Sequence, residues 1–147
     1  MKANNVTKKI FPVVVGLSIG ISAALLVNYI FFNTPSYDEE LKRAAIEITK
    51  SCPVMVDEQT RLDRVDVPAT NRIRYSYTLV KIKKSEVDTD EMRNSLTPVI
   101  LEDVETNPQM AINREHSTTM EYSYQDKNGV FLFNIAVTPA MYKEHQH

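Results

Sequence analysis

The side chains of this sequence that could do chemistry are few and scattered. Cys52 is the one cysteine, and the histidines are His116, His145 and His147. A thiol nucleophile needs a base within hydrogen-bond reach, and nothing local ties Cys52 to any histidine. A single cysteine excludes an intramolecular disulfide. Lying between a helix and Pro53, Cys52 reads as a small buried hydrophobe, with a link between two protomers as the alternative. His145 and His147 share one side of an extended "HQH", yet a closed metal site needs further ligands and none accompanies them, so the pair reads as a tail. Asp57, Glu58, Asp63 and Asp66 interleave with Arg61 and Arg64 and lack the Asp-x-Asp-x-Asp-Gly spacing of a calcium loop. They read as a self-compensating surface. No catalytic residue, cofactor or metal ligand is assigned, and a non-enzymatic protein is expected.

Two further sets could bind rather than react. Tyr75, Tyr77, Tyr122 and Tyr124 could line a ligand groove, although core and cross-strand packing is the expected use. Arg72, Arg74, Lys81, Lys83 and Lys84 give one hairpin a basic side. Near an anionic membrane surface each would contribute about 1 kcal/mol; otherwise they are solvent-facing strand residues that guard an edge, or a contact for a partner.

These residues must be positioned by elements that follow an apolar run. Ile10 to Phe32 is free of charge, and at about 1.5 Å per residue its helix would cross a hydrocarbon core of about 30 Å. Signal-peptide cores are shorter, so an uncleaved anchor is expected, with cleavage after Ala24 and secretion as the alternative. Lys2, Lys8 and Lys9 precede the run, which predicts a cytoplasmic N-terminus and a C-terminal domain outside. Gly16, Gly20 and Ala24 recur every four residues and could pack a second helix closely. The expected organisation is a cytoplasmic segment 1–9, a transmembrane anchor 10–32, an extracytoplasmic domain 33–139 and a tail 140–147.

In that domain "SYDEELKRAAIEITK" carries a Ser36/Glu39 capping box and an apolar stripe of Leu41, Ala44, Ala45 and Ile48. Strands alternate in "RLDRVDV" and "IRYSYTLVKI", with "PATN" between them. A second helix runs from about Asp90 to Val104, with Met92, Leu96, Val99, Ile100 and Asp103/Val104 inward and Pro98 expected to kink it. "STTMEYSYQ" and "VFLFNIAVT" flank Asn128-Gly129, a strong hairpin turn signal. The recurrence of "YSY" in the two halves is not taken as a sign of duplication. The expected fold class is α+β: a single transmembrane helix, then α-β-β-α-β-β, forming a four-stranded antiparallel sheet with two helices on one face.

At "CPVMVDEQTRLDRV", "IRYSYTLVKI" and "DKNGVFLFNIAVTP" the chain resembles small bacterial membrane-anchored or exported α+β proteins of unassigned function. The likeness covers about Leu41 to Pro139; it implies a bacterial envelope setting and no activity. Beyond the apolar run, fourteen Lys and Arg stand against all 19 acidic residues, a formal charge of −5 that gives no reason to expect nucleic-acid binding. The expected function is a protein-interaction or accessory subunit of an envelope complex at the bacterial inner membrane. Its partners would be the bilayer and another protein, or a second copy through the transmembrane helix. A ligand-sensing domain is the alternative.

Overall fold

The computed structural model describes residues 35–144. The expected span from Ile10 to Phe32, with Gly16, Gly20 and Ala24, lies outside the described residues, as do His145 and His147. Among the described residues no helix is long and apolar enough to cross a membrane.

Helix α1 (Tyr37–Lys50) starts where the sequence places it: Ser36 accepts from the Glu39 backbone N–H, and the Glu39 side chain accepts from the Ser36 N–H. Two of the four amide groups left over at a helix start are thereby satisfied. Both ends of α1 are tied to the sheet. Asp38 accepts from the Asn71 N–H at 2.7 Å, and Thr49 Oγ1 exchanges hydrogen bonds of 2.9 Å with the backbone of Val65.

The sheet has five strands in sequential order: β1 (Val54–Met55), β2 (Thr60–Ala69), β3 (Arg72–Leu79), β4 (Thr119–Asp126) and β5 (Phe131–Val137). Every neighbouring pair is antiparallel except β3 and β4, which run parallel. The expected four-stranded antiparallel sheet is thus corrected to a five-stranded mixed one. Two physical reasons account for the difference. Between β3 and β4 the chain passes through helix α2 (Thr89–Thr106), and a crossover of that length lets adjacent strands point the same way. The added strand, β1, is only two residues long and exposed, too short to show an alternation.

The two "YSY" triplets turn out to be lateral neighbours. Tyr75, Ser76 and Tyr77 pair in register with Tyr122, Ser123 and Tyr124 across the parallel junction. Tyrosines therefore stack in rows, Tyr75 on Tyr122 with ring centroids 5.4 Å apart and Tyr77 on Tyr124 at 5.2 Å.

Asp88 caps α2 by accepting from the Asp90 and Glu91 N–H groups, and the helix continues through Pro98, which is exposed. Two short helices, α3 (Ala111–Glu115) and α4 (Pro139–Glu144), complete the domain where the sequence suggested a connection and a tail. Tyr142 of α4 is fully buried and donates to the Thr118 carbonyl at 3.1 Å, which fastens the end of the chain beside β4. Leu41 and Ala45 of α1 and Ile100 and Val104 of α2 join one core with the sheet residues Ile73, Met120, Phe133, Ile135 and Val137. Both long helices thus cover the same face.

Candidate functional site

Cleft geometry follows from where the helices sit. α1 packs chiefly on β2 and α2 chiefly on β5. Adjacent strands are about 4.8 Å apart, so strands three places apart are separated by about 14 Å, against about 8–10 Å for directly packed helices. The middle strands, which bear the tyrosines, are left between them. Two recesses open over these strands, one lined by Tyr75 and the other by Tyr122, whose rings stack. The first, about 410 Å³, lies between α1 and the segment before β4 and is lined by Leu41, Ala44, Ile48, Tyr75 and Ile112. The second, about 500 Å³, lies against α2 and is lined by Leu96, Val99, Asp103, Tyr77, Tyr122 and Tyr124.

Helical periodicity puts Ala44 and Ile48 on the inner face of α1 and Val99 on that of α2, yet Ala44 is exposed, Ile48 is 39% exposed and Val99 60%. All three line the recesses. The apolar stripe of each helix is wider than the core it covers, and the surplus borders the same cleft.

The tyrosine floor is electrically distinctive. Burial pushes all four hydroxyls up, Tyr75 and Tyr124 to about 12, and the negative charge of Asp103 adds to the rise at Tyr75, Tyr77 and Tyr122. They stay protonated, able to donate and to accept. Tyr122 is only 6% exposed, and its Oη has no hydrogen-bond partner among the described residues. An unpaired hydroxyl in such a place costs about 1–3 kcal/mol.

The opposite face of the sheet is polar and closed on itself. Glu121, 4% exposed, receives Arg74 Nε on Oε2 at 2.8 Å and Arg72 on Oε1. Asp63 accepts from Arg61 Nε at 2.6 Å and from Thr78, which in turn accepts from Gln125 at 2.8 Å. Of the basic set, Arg72 and Arg74 are engaged at the start of β3. Lys81, Lys83 and Lys84 follow the other end of that strand, with Lys83 3.8 Å from Glu86. Asp57 forms a local turn by accepting from the Gln59 and Thr60 N–H groups, and Asp66 lies 3.8 Å from Arg64. Among the described residues no group of His, Cys, Asp and Glu is placed to hold a metal ion.

Cys52 and His116 do not form a dyad. His116 stacks on Tyr37, at the first residue of α1, with centroids 3.8 Å apart, whereas Cys52 follows its last turn. The helix separates them by about 20 Å. Burial and the charge of Asp63 raise the Cys52 thiol, the opposite of what a nucleophile needs.

Residues 36–133 match the family described as a domain of unknown function, DUF8479. The chain belongs to this family. No curated protein matches it. The DUF8479 fold is similar to three solved structures. One, from Pseudomonas aeruginosa and described as secreted, has a TM-score of 0.54 at 15% identity, over 74% of this chain and 98% of that one. The type 2 secretion system pilotin EpsS from Vibrio vulnificus gives 0.55 at 10% identity, and the type II pilotin AspS from Vibrio cholerae 0.53 at 10%. Each pilotin match covers 71% of this chain and 90% of the pilotin. At these identities the likeness is one of fold.

Proposed function

We propose that this DUF8479 chain is a non-enzymatic accessory or assembly subunit of a bacterial envelope complex, which binds a protein partner in the cleft between α1 and α2. The observation that carries this reading is the uncovered apolar rim. Ala44, Ile48 and Val99 belong to the stripes that helices bury, and here they border a floor of tyrosines. Aromatic floors with apolar rims suit protein recognition, since tyrosine supplies a large contact area and a polar tip. The fold likeness to two secretion-system pilotins and a protein described as secreted supports an envelope role. The segment 10–32 would hold the domain at the membrane, with 33–139 on the outer side.

Affinity purification of the full chain from cross-linked native membranes tests this, alongside Ile48→Lys and Val99→Lys. Both sites are exposed, so stability should change by no more than about 0.5 kcal/mol. A discrete partner should be recovered with the wild type and reduced at least about tenfold by either variant, the effect of burying an unpaired charge in an interface. Equal recovery with both variants would remove the cleft as the binding site.

A second reading, small-molecule sensing, is favoured by the volume of the larger recess, about 500 Å³, which falls in the range of ligand sites. It would show as recovery of no protein together with a compound that co-purifies with the wild type and not with Val99→Lys.

A further inference from the structure

Three features of the cleft define what would fill it. The first is width. With α1 chiefly over β2 and α2 chiefly over β5, helices about 10–12 Å across with side chains leave over the two middle strands room for about one row of side chains and no second backbone. The occupant must therefore ride on the rims and push a ridge inward, as an amphipathic helix does with residues at i, i+3 or i+4 and i+7. The second is charge. Among the described residues, the formally charged ones lining the larger recess are Asp57 and Asp103, and the one lining the smaller is Glu40. Asp57 is committed to its own turn, whereas Asp103 stands over the tyrosines and takes one hydrogen bond, from Asn107 at 3.1 Å. The third is Tyr122 Oη, buried in the larger recess without a partner among the described residues.

A wholly apolar ridge would bury the Asp103 carboxylate, a penalty with nothing to offset it, and would leave Tyr122 as unpaired as it is in the free domain. A cationic side chain among the apolar ones answers both. We infer that the cleft receives a partner's amphipathic helix in which a lysine or arginine interrupts the apolar row, its cation held by Tyr122 Oη and the Asp103 carboxylate. This rests on the protein-binding reading above. It assigns Tyr122 and Asp103 as specificity residues, and Ile48, Leu96 and Val99 as the apolar seat.

The test uses the full chain in phosphatidylcholine nanodiscs, with empty nanodiscs as reference. Three synthetic helical peptides of about 18 residues, the length of α2, share one leucine and alanine stripe. They differ at a single central stripe position, which is lysine, norleucine or glutamate. The lysine peptide should bind about tenfold tighter than its norleucine isostere, as a charge-assisted hydrogen bond in a desolvated site predicts, and the glutamate peptide weakest. Tyr122→Phe or Asp103→Asn should bring the lysine-to-norleucine ratio below about threefold, and Asp103→Asn should also tighten the norleucine peptide, because no carboxylate is then buried beneath it. Equal binding of the lysine and norleucine peptides overturns the cation assignment while leaving the cleft as a protein site. Binding of none of the three overturns the cleft itself.

Discussion

Phe133→Ala should lower the unfolding free energy by about 3–5 kcal/mol. Phe133 is 3% exposed on β5, paired across the sheet with Tyr124, and its ring meets that of Tyr124 at 5.0 Å. Truncation removes an aromatic ring from the core beside an edge strand, where only β4 and the helix layer can relax into the space. A domain of this size has about 5–15 kcal/mol of stability in all, so the loss is a large share of it. Urea denaturation would show the midpoint falling at unchanged slope. Phe131→Ala two residues away is the control: Phe131 is 56% exposed, and a shift above about 1 kcal/mol there would mean that the inner and outer faces of β5 are misassigned.

Glu121→Ala is expected to cost about 2–3 kcal/mol, because a buried acceptor that binds two guanidiniums is lost. The cost falls short of that for a fully buried pair, since the side chains of Arg72 and Arg74 are 41% and 35% exposed and rehydrate. Acid should expose the same interaction. Burial by itself raises the Glu121 carboxyl, but hydrogen bonds from Arg74 and Arg72, aided by their charges, outweigh it and hold the group below its ordinary value of 4.5. The folded pKa is lower than the unfolded one, so its stabilisation is complete above the unfolded pKa and is lost as pH falls through the folded value. Glu121→Gln should therefore show a smaller drop in stability than the wild type on titration from pH 6 to about pH 3. Parallel curves for the two proteins would show that the arginines do not hold this carboxylate.

The individual elements were largely legible because their signals are local, whereas the sheet they assemble into was not. The Ser36/Glu39 box fixed the start of α1, and alternation along "IRYSYTLVKI" and the Asn128-Gly129 turn gave strands close to those observed. Gly129 sits at φ +79°, the left-handed region that glycine adopts without cost. Strand direction was not legible, since order α-β-β-α-β-β accommodates a parallel or an antiparallel junction between β3 and β4. One clue lay in the repeated "YSY": identical triplets, polar between aromatics, suit in-register neighbours, and that is how they pair. The cleft was half visible. Tyr75, Tyr77, Tyr122 and Tyr124 were singled out, and the structure brings them together, but periodicity assigned Ile48 and Val99 to a core that does not reach them. A hydrophobic period reports which face is apolar and is silent on what covers it. Arg72 and Arg74 look free in sequence because their partner Glu121 lies 47 to 49 residues away. That Tyr122 lacks a hydrogen bond and that Asp103 stands over the tyrosines has no local signal; burial without a partner, and charge over an aromatic floor, exist only in three dimensions.

Site-specific photo-crosslinking in intact cells tests the central claim most directly. A benzoylphenylalanine is placed in the full chain at Val99, at Ile48 or at Asn134, the last exposed on β5 and paired with Ser123 on the polar face. The account predicts one protein adduct common to Val99 and Ile48 and absent at Asn134. Adducts at Asn134 alone, or at none of the three, would contradict it.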